Sequence, residues 1–150
     1  MRKYLPIAMF LCLMCAVLPG CDSAGTQKVL GQNGGIDVDL SVMSSVLAAA
    51  EFKNITTNPD AYVGKTVKMS GLYNAVYYDK TNQYYHAVVL EGADACCVQG
   101  LEFVWQGNHA YPDDYPVKDA KIEVVGVFGS YEELGETFYN LTVDGITVLP

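Results

Sequence analysis

Hydrophobic and polar residues alternate with a period of two along most of the chain after residue 64, and this period is typical of strands. In the first such run, residues 64–75, Val67, Met69, Gly71 and Tyr73 fall on one face and the polar residues on the other. The pattern predicts five strands, at 64–75, 83–91, 97–106, 121–130 and 137–149. The intervening segment 107–120 holds Pro112 and Pro116 and is predicted to be a long loop.

A helical pattern precedes the strands. Leu40, Met43, Leu47 and Ala50 recur at spacings of three and four residues, which predicts an amphipathic helix with Asp39 as its N-cap. The run 58–64 begins Asn-Pro and ends in glycine, which predicts one further helical turn. A short N-terminal helix before five strands predicts a mainly β fold, a five-stranded Greek-key barrel of the OB type, with a small β-sandwich as the alternative.

The first twenty residues have the pattern of a signal peptide. Two basic residues precede an apolar run at 7–18, which is too short for a permanent membrane span. The run closes with Leu18-Pro19-Gly20-Cys21, which resembles the bacterial lipobox, in which the cysteine is lipidated and becomes the mature N-terminus. The sequence therefore predicts a signal peptide at 1–20, a lipidated Cys21 with a flexible tether at 21–36, and an OB-like domain at 37–150. The protein is expected on the extracytoplasmic face of a bacterial membrane, held there by lipid, and whether that membrane is inner or outer stays open.

Composition and charge limit the class of protein and the kinds of partner that the chain can bind. The chain is 51% hydrophobic and 17% charged, which excludes a disordered or coiled-coil protein. Its formal net charge of −8 becomes −10 once Arg2 and Lys3 leave with the signal peptide. Such a charge disfavours nucleic acid as a partner.

The remaining chemistry centres on adjacent cysteines. After processing only Cys96 and Cys97 carry free thiols, and a disulfide between neighbours is strained and easily reduced, which indicates a redox role. With His86 and His109 they are also candidate ligands for zinc or copper, although no cofactor is required by the sequence. The third interpretation is that Cys96 and Cys97 are inert and take part in no redox or metal chemistry. No catalytic motif is present, and a nucleophile formed by Cys97 with a histidine is the one enzymatic option.

Aromatic residues supply a different candidate site. The chain has 11 tyrosines and one tryptophan, enough to line a groove on the face by which OB barrels commonly bind. The ligand-binding candidates are Tyr73, Tyr85, Glu102 and Trp105. Aromatic residues also favour strands for packing alone, so a structural role is the alternative.

Two stretches resemble a known group of proteins. They are Asn58-Pro-Asp-Ala-Tyr-Val-Gly-Lys65, continuing to Gly71, and Asp94-Ala-Cys-Cys-Val-Gln-Gly100, continuing to Phe103. Over 37–149 the chain resembles a family of small bacterial lipoproteins with an OB-like barrel and a Cys-Cys-x-Gln-Gly motif, similar in outline to the barrel domain of permease-linked membrane proteins. In the permease-linked relatives an aspartate is expected after the cysteine pair, whereas here Asp94 precedes it. The family carries no established activity, so the resemblance implies fold and location.

Together these patterns predict a membrane-anchored, non-enzymatic binding or accessory module of the cell envelope, with an envelope protein, a peptide or a glycan as its partner. The alternative is metal handling or thiol–disulfide chemistry at Cys96 and Cys97.

Overall fold

The computed structural model describes residues 35–91 and 99–150. The elements are β1 (Val38–Asp39), α1 (Ser45–Thr57), a 3-10 turn (Pro59–Ala61), β2 (Thr66–Tyr78), β3 (Gln83–Val89), β4 (Gly100–Trp105), β5 (Lys121–Glu133) and β6 (Glu136–Val148). The predictions for the signal peptide, Cys21 and the tether up to residue 34, and for Cys96 and Cys97, lie outside the described residues. Within the described part of the chain, no helix combines the length and apolar character needed to cross a bilayer.

The strands form one sheet that closes on itself. The order is β1-β2-β3-β4-β6-β5, and β5 pairs with β2 to complete the barrel. Neighbouring barrel strands run antiparallel except for β4 and β6, which are parallel. A closed five-stranded Greek-key barrel is the OB fold, and closure through β2 and β5 excludes the sandwich alternative.

Strand β2 takes part in two pairings because it bends. Its first half, from Thr66 to Leu72, pairs with β5, and its second half, from Leu72 to Tyr78, pairs with β3. Gly71 lies where the pairing changes, and a Cβ at this residue would be 2.0 Å from the carbonyl oxygen of Val89. Only glycine permits this approach of two backbones, which is why a glycine marks the corner of the barrel.

The core of the barrel is formed by the apolar face of each strand. Val67, Met69 and Tyr73 alternate inward along β2, as the sequence pattern predicts. They meet Phe103 from β4 and Phe128 from β5, each at most 1% exposed. The interior is therefore filled by side chains, and any ligand site must lie on the outside of the barrel.

Helix α1 differs from the prediction in its start and in its buried face. Asp39 does not cap it, because Asp39 belongs to β1, which pairs in parallel with β2, and the helix begins after its N-cap Ser44. The predicted stripe is also wrong in part, since Leu47 is 61% exposed. The residues that pack toward the barrel are instead Ala48, Phe52 and Ile55.

The strand boundaries follow the predictions with three differences. Strand β2 continues three residues further, to Tyr78, and β5 likewise reaches Glu133, so that two hairpins extend beyond the predicted ends. Strand β6 runs continuously to Val148, and its pairing with β5 shifts register at Asp144 and Gly145, opposite Val125. The two-residue β1 has no counterpart in the prediction. The lengthened hairpins matter most, because they form the walls of the groove described next.

Candidate functional site

A groove lies between the β2–β3 hairpin and the β5–β6 hairpin, with β4 as its floor. It consists of two adjoining pockets. The first, called here the tyrosine pocket, has a volume of about 430 Å³ and is lined by Tyr78, Lys80, Tyr85, Glu102, Tyr131, Glu133, Leu134, Glu136 and Phe138. The second, called the histidine pocket, has a volume of about 450 Å³ and includes His86, Phe103, Trp105, Tyr115 and Asn140. The pockets share Tyr85, Glu102, Tyr131 and Glu133, so these four residues form the centre of the groove.

The central residues are two tyrosine–glutamate pairs. The hydroxyl of Tyr85 donates to the Glu133 carboxylate, at 2.7 Å from Oε1 and 2.8 Å from Oε2. The hydroxyl of Tyr131 donates to Oε2 of Glu102 over 2.8 Å. Each pair joins residues from different hairpins or strands, so the pairs hold the two walls and the floor of the groove together. Hydrogen bonds to an ionised carboxylate are stronger than neutral ones, which makes these pairs rigid.

The surroundings of Glu102 change its protonation equilibrium. Burial raises its pKa, the hydrogen bond from Tyr131 works in the opposite direction, and the nearby charge of Glu133 adds to the increase. Burial, together with the hydrogen bond to Glu102, also raises the pKa of Tyr131. In the part of the chain that the structure describes, the ion pairs join Lys68 to Glu123 and Lys121 to Glu91 only, so neither groove carboxylate is neutralised by a lysine.

The histidine pocket is an aromatic cluster. The ring of His86 stacks on Tyr115 at a centroid distance of 3.9 Å, and its Nδ1 lies 2.7 Å from the hydroxyl of Tyr73. Burial lowers the pKa of His86. Trp105 stacks on His109 at 3.6 Å and donates through Nε1 to the backbone oxygen of Asp144. This cluster attaches the long loop 107–120 to β3 and β4.

The structure brings some of the predicted site residues together and separates others. Tyr85, Glu102 and Trp105 all line the groove. Tyr73 does not, because it is 1% exposed and lies in the core, and its prediction as a ligand contact is wrong. The sequence pattern already placed Tyr73 on the same face of β2 as buried Val67 and Met69, and that signal was the better guide.

The histidines are engaged with aromatic neighbours. His86 is paired with Tyr73, and Nε2 of His109 lies 3.0 Å from the backbone oxygen of Gln106. Across 35–91 and 99–150, no three histidine, cysteine or acidic side chains are grouped so that they could hold a metal ion. Ligation by Cys96 and Cys97, and a disulfide between them, fall outside these ranges and stay predictions.

Sequence reasoning missed Glu133 and Phe138, and it counted Tyr131 among the tyrosines able to line a groove without selecting it as a site residue. Tyr131 and Glu133 lie on the part of β5 beyond its predicted end, and Phe138 lies on the facing strand β6. The available signal was the short Leu134-Gly135 turn between two alternating runs, which is typical of a tight hairpin with long arms.

Comparisons with known proteins add little. No family model matches the chain, and no curated protein matches it. Among solved structures it is similar to the dimeric N-terminal domain of PriB protein from Thermoanaerobacter tencongensis, at 13% identity and a TM-score of 0.34, over 57% of this chain and 96% of that one. At this level of similarity the likeness says nothing about function, and the assignment of the OB fold stands on the strand order described above.

Proposed function

We propose that this protein is a non-enzymatic binding module of the bacterial cell envelope, held at the extracytoplasmic face of a membrane by lipid on Cys21. The anchor is supported by the lipobox-like sequence at 18–21 and the apolar run before it. A lipid anchor and a tether of about 15 residues keep the barrel on the order of 20 Å from the membrane, where envelope proteins, peptides and glycans are its neighbours.

The observation that carries the binding role is the groove with its two tyrosine–glutamate pairs. Ligand sites are concave, have a volume of about 300–1,000 Å³, and combine aromatic walls with a few fixed polar groups. The tyrosine pocket, at about 430 Å³, has these properties. It also lies on the surface that OB barrels use for ligands, which is formed by the second and third barrel strands and the adjacent hairpin loops.

The charge of the groove supports a partner other than nucleic acid. Three glutamates and one lysine line the tyrosine pocket. A phosphate backbone needs lysine and arginine, and carboxylates at this position repel it.

Capture from solubilised membranes of the host tests the binding role. The full chain is compared with Tyr85→Ala and Tyr131→Ala, which shorten the walls of the groove. Tyr77→Ala is the matched control, because Tyr77 is a 44% exposed tyrosine of β2 that lines neither pocket. We expect the ligand to be lost from both groove variants and kept by the control, with all three proteins folded by circular dichroism. Retention by both groove variants would contradict the proposal.

The anchor is tested separately with Cys21→Ser. The lipidated chain is expected in the membrane fraction, with an acyl mass on its N-terminal peptide, and the variant is expected to lose that mass. An unmodified Cys21 in the mature protein would contradict the anchor and leave the groove unaffected.

A further inference from the structure

The tyrosine pocket is lined by two pairs of aromatic rings, one from each hairpin. On the β2–β3 side, the rings of Tyr78 and Tyr85 meet edge to face, with centroids 6.4 Å apart. On the β5–β6 side, Tyr131 and Phe138 stack with centroids 5.6 Å apart. Two of these rings reach the surface, since Tyr78 is 40% and Phe138 38% exposed. The result is an open cavity surrounded by four aromatic rings from four strands.

Aromatic walls of this kind attract positive charge. The face of an aromatic ring is negative, and groups of rings are the recurrent means by which proteins bind alkylammonium ions. Two tyrosine hydroxyls of this pocket, those of Tyr85 and Tyr131, donate to carboxylates. A phenol that donates to an anion is polarised toward a more electron-rich ring, which strengthens its attraction for a cation.

One cation of the protein already approaches this aromatic wall. Nζ of Lys80 lies 6.0 Å from the centroid of Tyr78, at the rim of the pocket. Lys80 is the one lysine among the residues that line the tyrosine pocket. Because Tyr78 is 40% exposed, its ring is also accessible to an ammonium group from solvent. The charge of Lys80 competes with any cation that enters.

The two central carboxylates of the pocket favour a positively charged ligand. Glu102 is half-buried, and Glu133 lies beside it within the groove. A neutral sugar or an apolar side chain in the pocket would take two carboxylates further from water without compensating their charge, which is costly. A cation between the aromatic rings and the carboxylates offsets this cost. The rings and the carboxylates therefore favour the same kind of ligand, a positively charged one.

We propose that the tyrosine pocket binds an alkylammonium group. This inference rests on the proposed function, because it names the chemistry of the ligand that the groove takes. The group is either the end of a lysine side chain on an envelope peptide or a free quaternary amine such as choline, and the chemistry that recognises them is the same.

Calorimetric titration of the full chain in detergent micelles tests the inference with defined probes. They are choline, the neutral isostere 3,3-dimethylbutan-1-ol, and the peptide acetyl-Gly-Lys-Gly-amide. We expect choline or the lysine peptide to bind at least tenfold more tightly than the neutral alcohol. A tenfold preference for the peptide assigns the lysine source, and the reverse preference assigns the free amine. Equal binding of the neutral alcohol, or no binding of either cation, would overturn the inference.

Substitutions locate the cation. Glu102→Gln is expected to weaken binding of the cationic probe about tenfold, and Lys80→Gln to strengthen it two- to threefold by removing a competing charge. Glu132→Gln is the matched control, because Glu132 is exposed, neighbours Glu133 on β5 and lines neither pocket. If Glu132→Gln weakens binding as much as Glu102→Gln, the attraction is general to an acidic protein and the proposed site is wrong.

Failure of this inference and failure of the binding role give different results. If neither cation binds while Tyr85→Ala and Tyr131→Ala still lose the captured envelope ligand, the groove has a ligand of another chemistry and only the ammonium assignment falls. If the groove variants also keep that ligand, the binding role falls with it.

Discussion

Replacing Gly71 with alanine tests the geometry that closes the barrel. The new Cβ would lie 2.0 Å from the carbonyl oxygen and 2.7 Å from the carbonyl carbon of Val89. Both atoms belong to the backbone, so no rotation of a side chain relieves the clash, and β2 and β3 must separate by about 1 Å or more. The matched control is Gly129→Ala, because the Cβ added at Gly129 in β5 meets no atom within 4 Å.

The expected magnitude follows from two contributions. Forced overpacking costs about 1–3 kcal/mol, and separating the strands weakens one or two ladder hydrogen bonds, each worth about 1 kcal/mol. The total loss in the free energy of unfolding is about 2–5 kcal/mol. At an unfolding entropy of about 2.1 cal/mol/K per residue, a domain of about 115 residues then loses roughly 8–20 °C in melting temperature. The free energy of unfolding of Gly129→Ala is expected to lie within about 1 kcal/mol of the wild-type value, because the added methyl group acts mainly by restricting the unfolded chain.

Thermal unfolding followed by circular dichroism, on the full chain in detergent, measures both variants. A Gly71→Ala protein that melts within about 3 °C of both the wild type and Gly129→Ala would refute the close approach of β2 and β3. The barrel corner, and with it the placement of the β2–β3 hairpin beside the groove, would then be wrong.

Three further predictions address the helix, the buried histidine and the buried carboxylate. Ile55→Ala should destabilise the domain by about 2–5 kcal/mol because Ile55 is fully buried, whereas Leu47→Ala, at a residue 61% exposed, should change stability by less than about 0.5 kcal/mol in urea unfolding. The pKa of His86, measured by NMR, should lie below the usual range because burial favours the neutral ring. The contribution of His86 to stability is therefore lost as pH falls through the ordinary histidine range. A pKa at or above that range would contradict the burial of His86. The pKa of Glu102 should lie above the usual range and rise further in Tyr131→Phe, because that variant removes a hydrogen bond that favours the charged carboxylate. The contribution of Glu102 to stability is greatest when the carboxyl is protonated and falls as pH rises through its folded pKa. If carbon NMR shows the same Glu102 titration in Tyr131→Phe as in the wild type, the pairing is contradicted.

Local patterning predicted the class of fold because the barrel is built from alternating strands. The alternation of Val67, Met69 and Tyr73 alone indicates which face of β2 is buried, and the glycine among them marks the bend. The helix was harder to place. Leu40 is buried, but it belongs to the turn after β1, so the spacing of apolar residues ran across two elements and indicated the wrong face.

The site was less accessible to sequence reasoning than the fold. Glu102 and Tyr131 are 29 residues apart, and Tyr85 and Glu133 are 48 apart, so neither pair has a local signature. What joins them is the length and direction of two hairpins, which depend on barrel closure. Tyr85, Glu102 and Trp105 could be selected as aromatic or polar residues on strands, whereas their partners could be found only from the strand pairing.

The most direct test of the binding role is photo-crosslinking in the host envelope. The photoreactive residue p-benzoylphenylalanine replaces Phe138, which lines the tyrosine pocket and is 38% exposed, and in a second protein it replaces Val117, which is 78% exposed and lies outside both pockets. Both substitutions keep the surface accessible, and the wild-type groove residues stay in place around the Phe138 probe. The account predicts a discrete crosslinked product from position 138 that is absent from position 117 and is competed by excess unlabelled full-length protein. The same products from both positions, or none from position 138, would contradict a ligand in the groove.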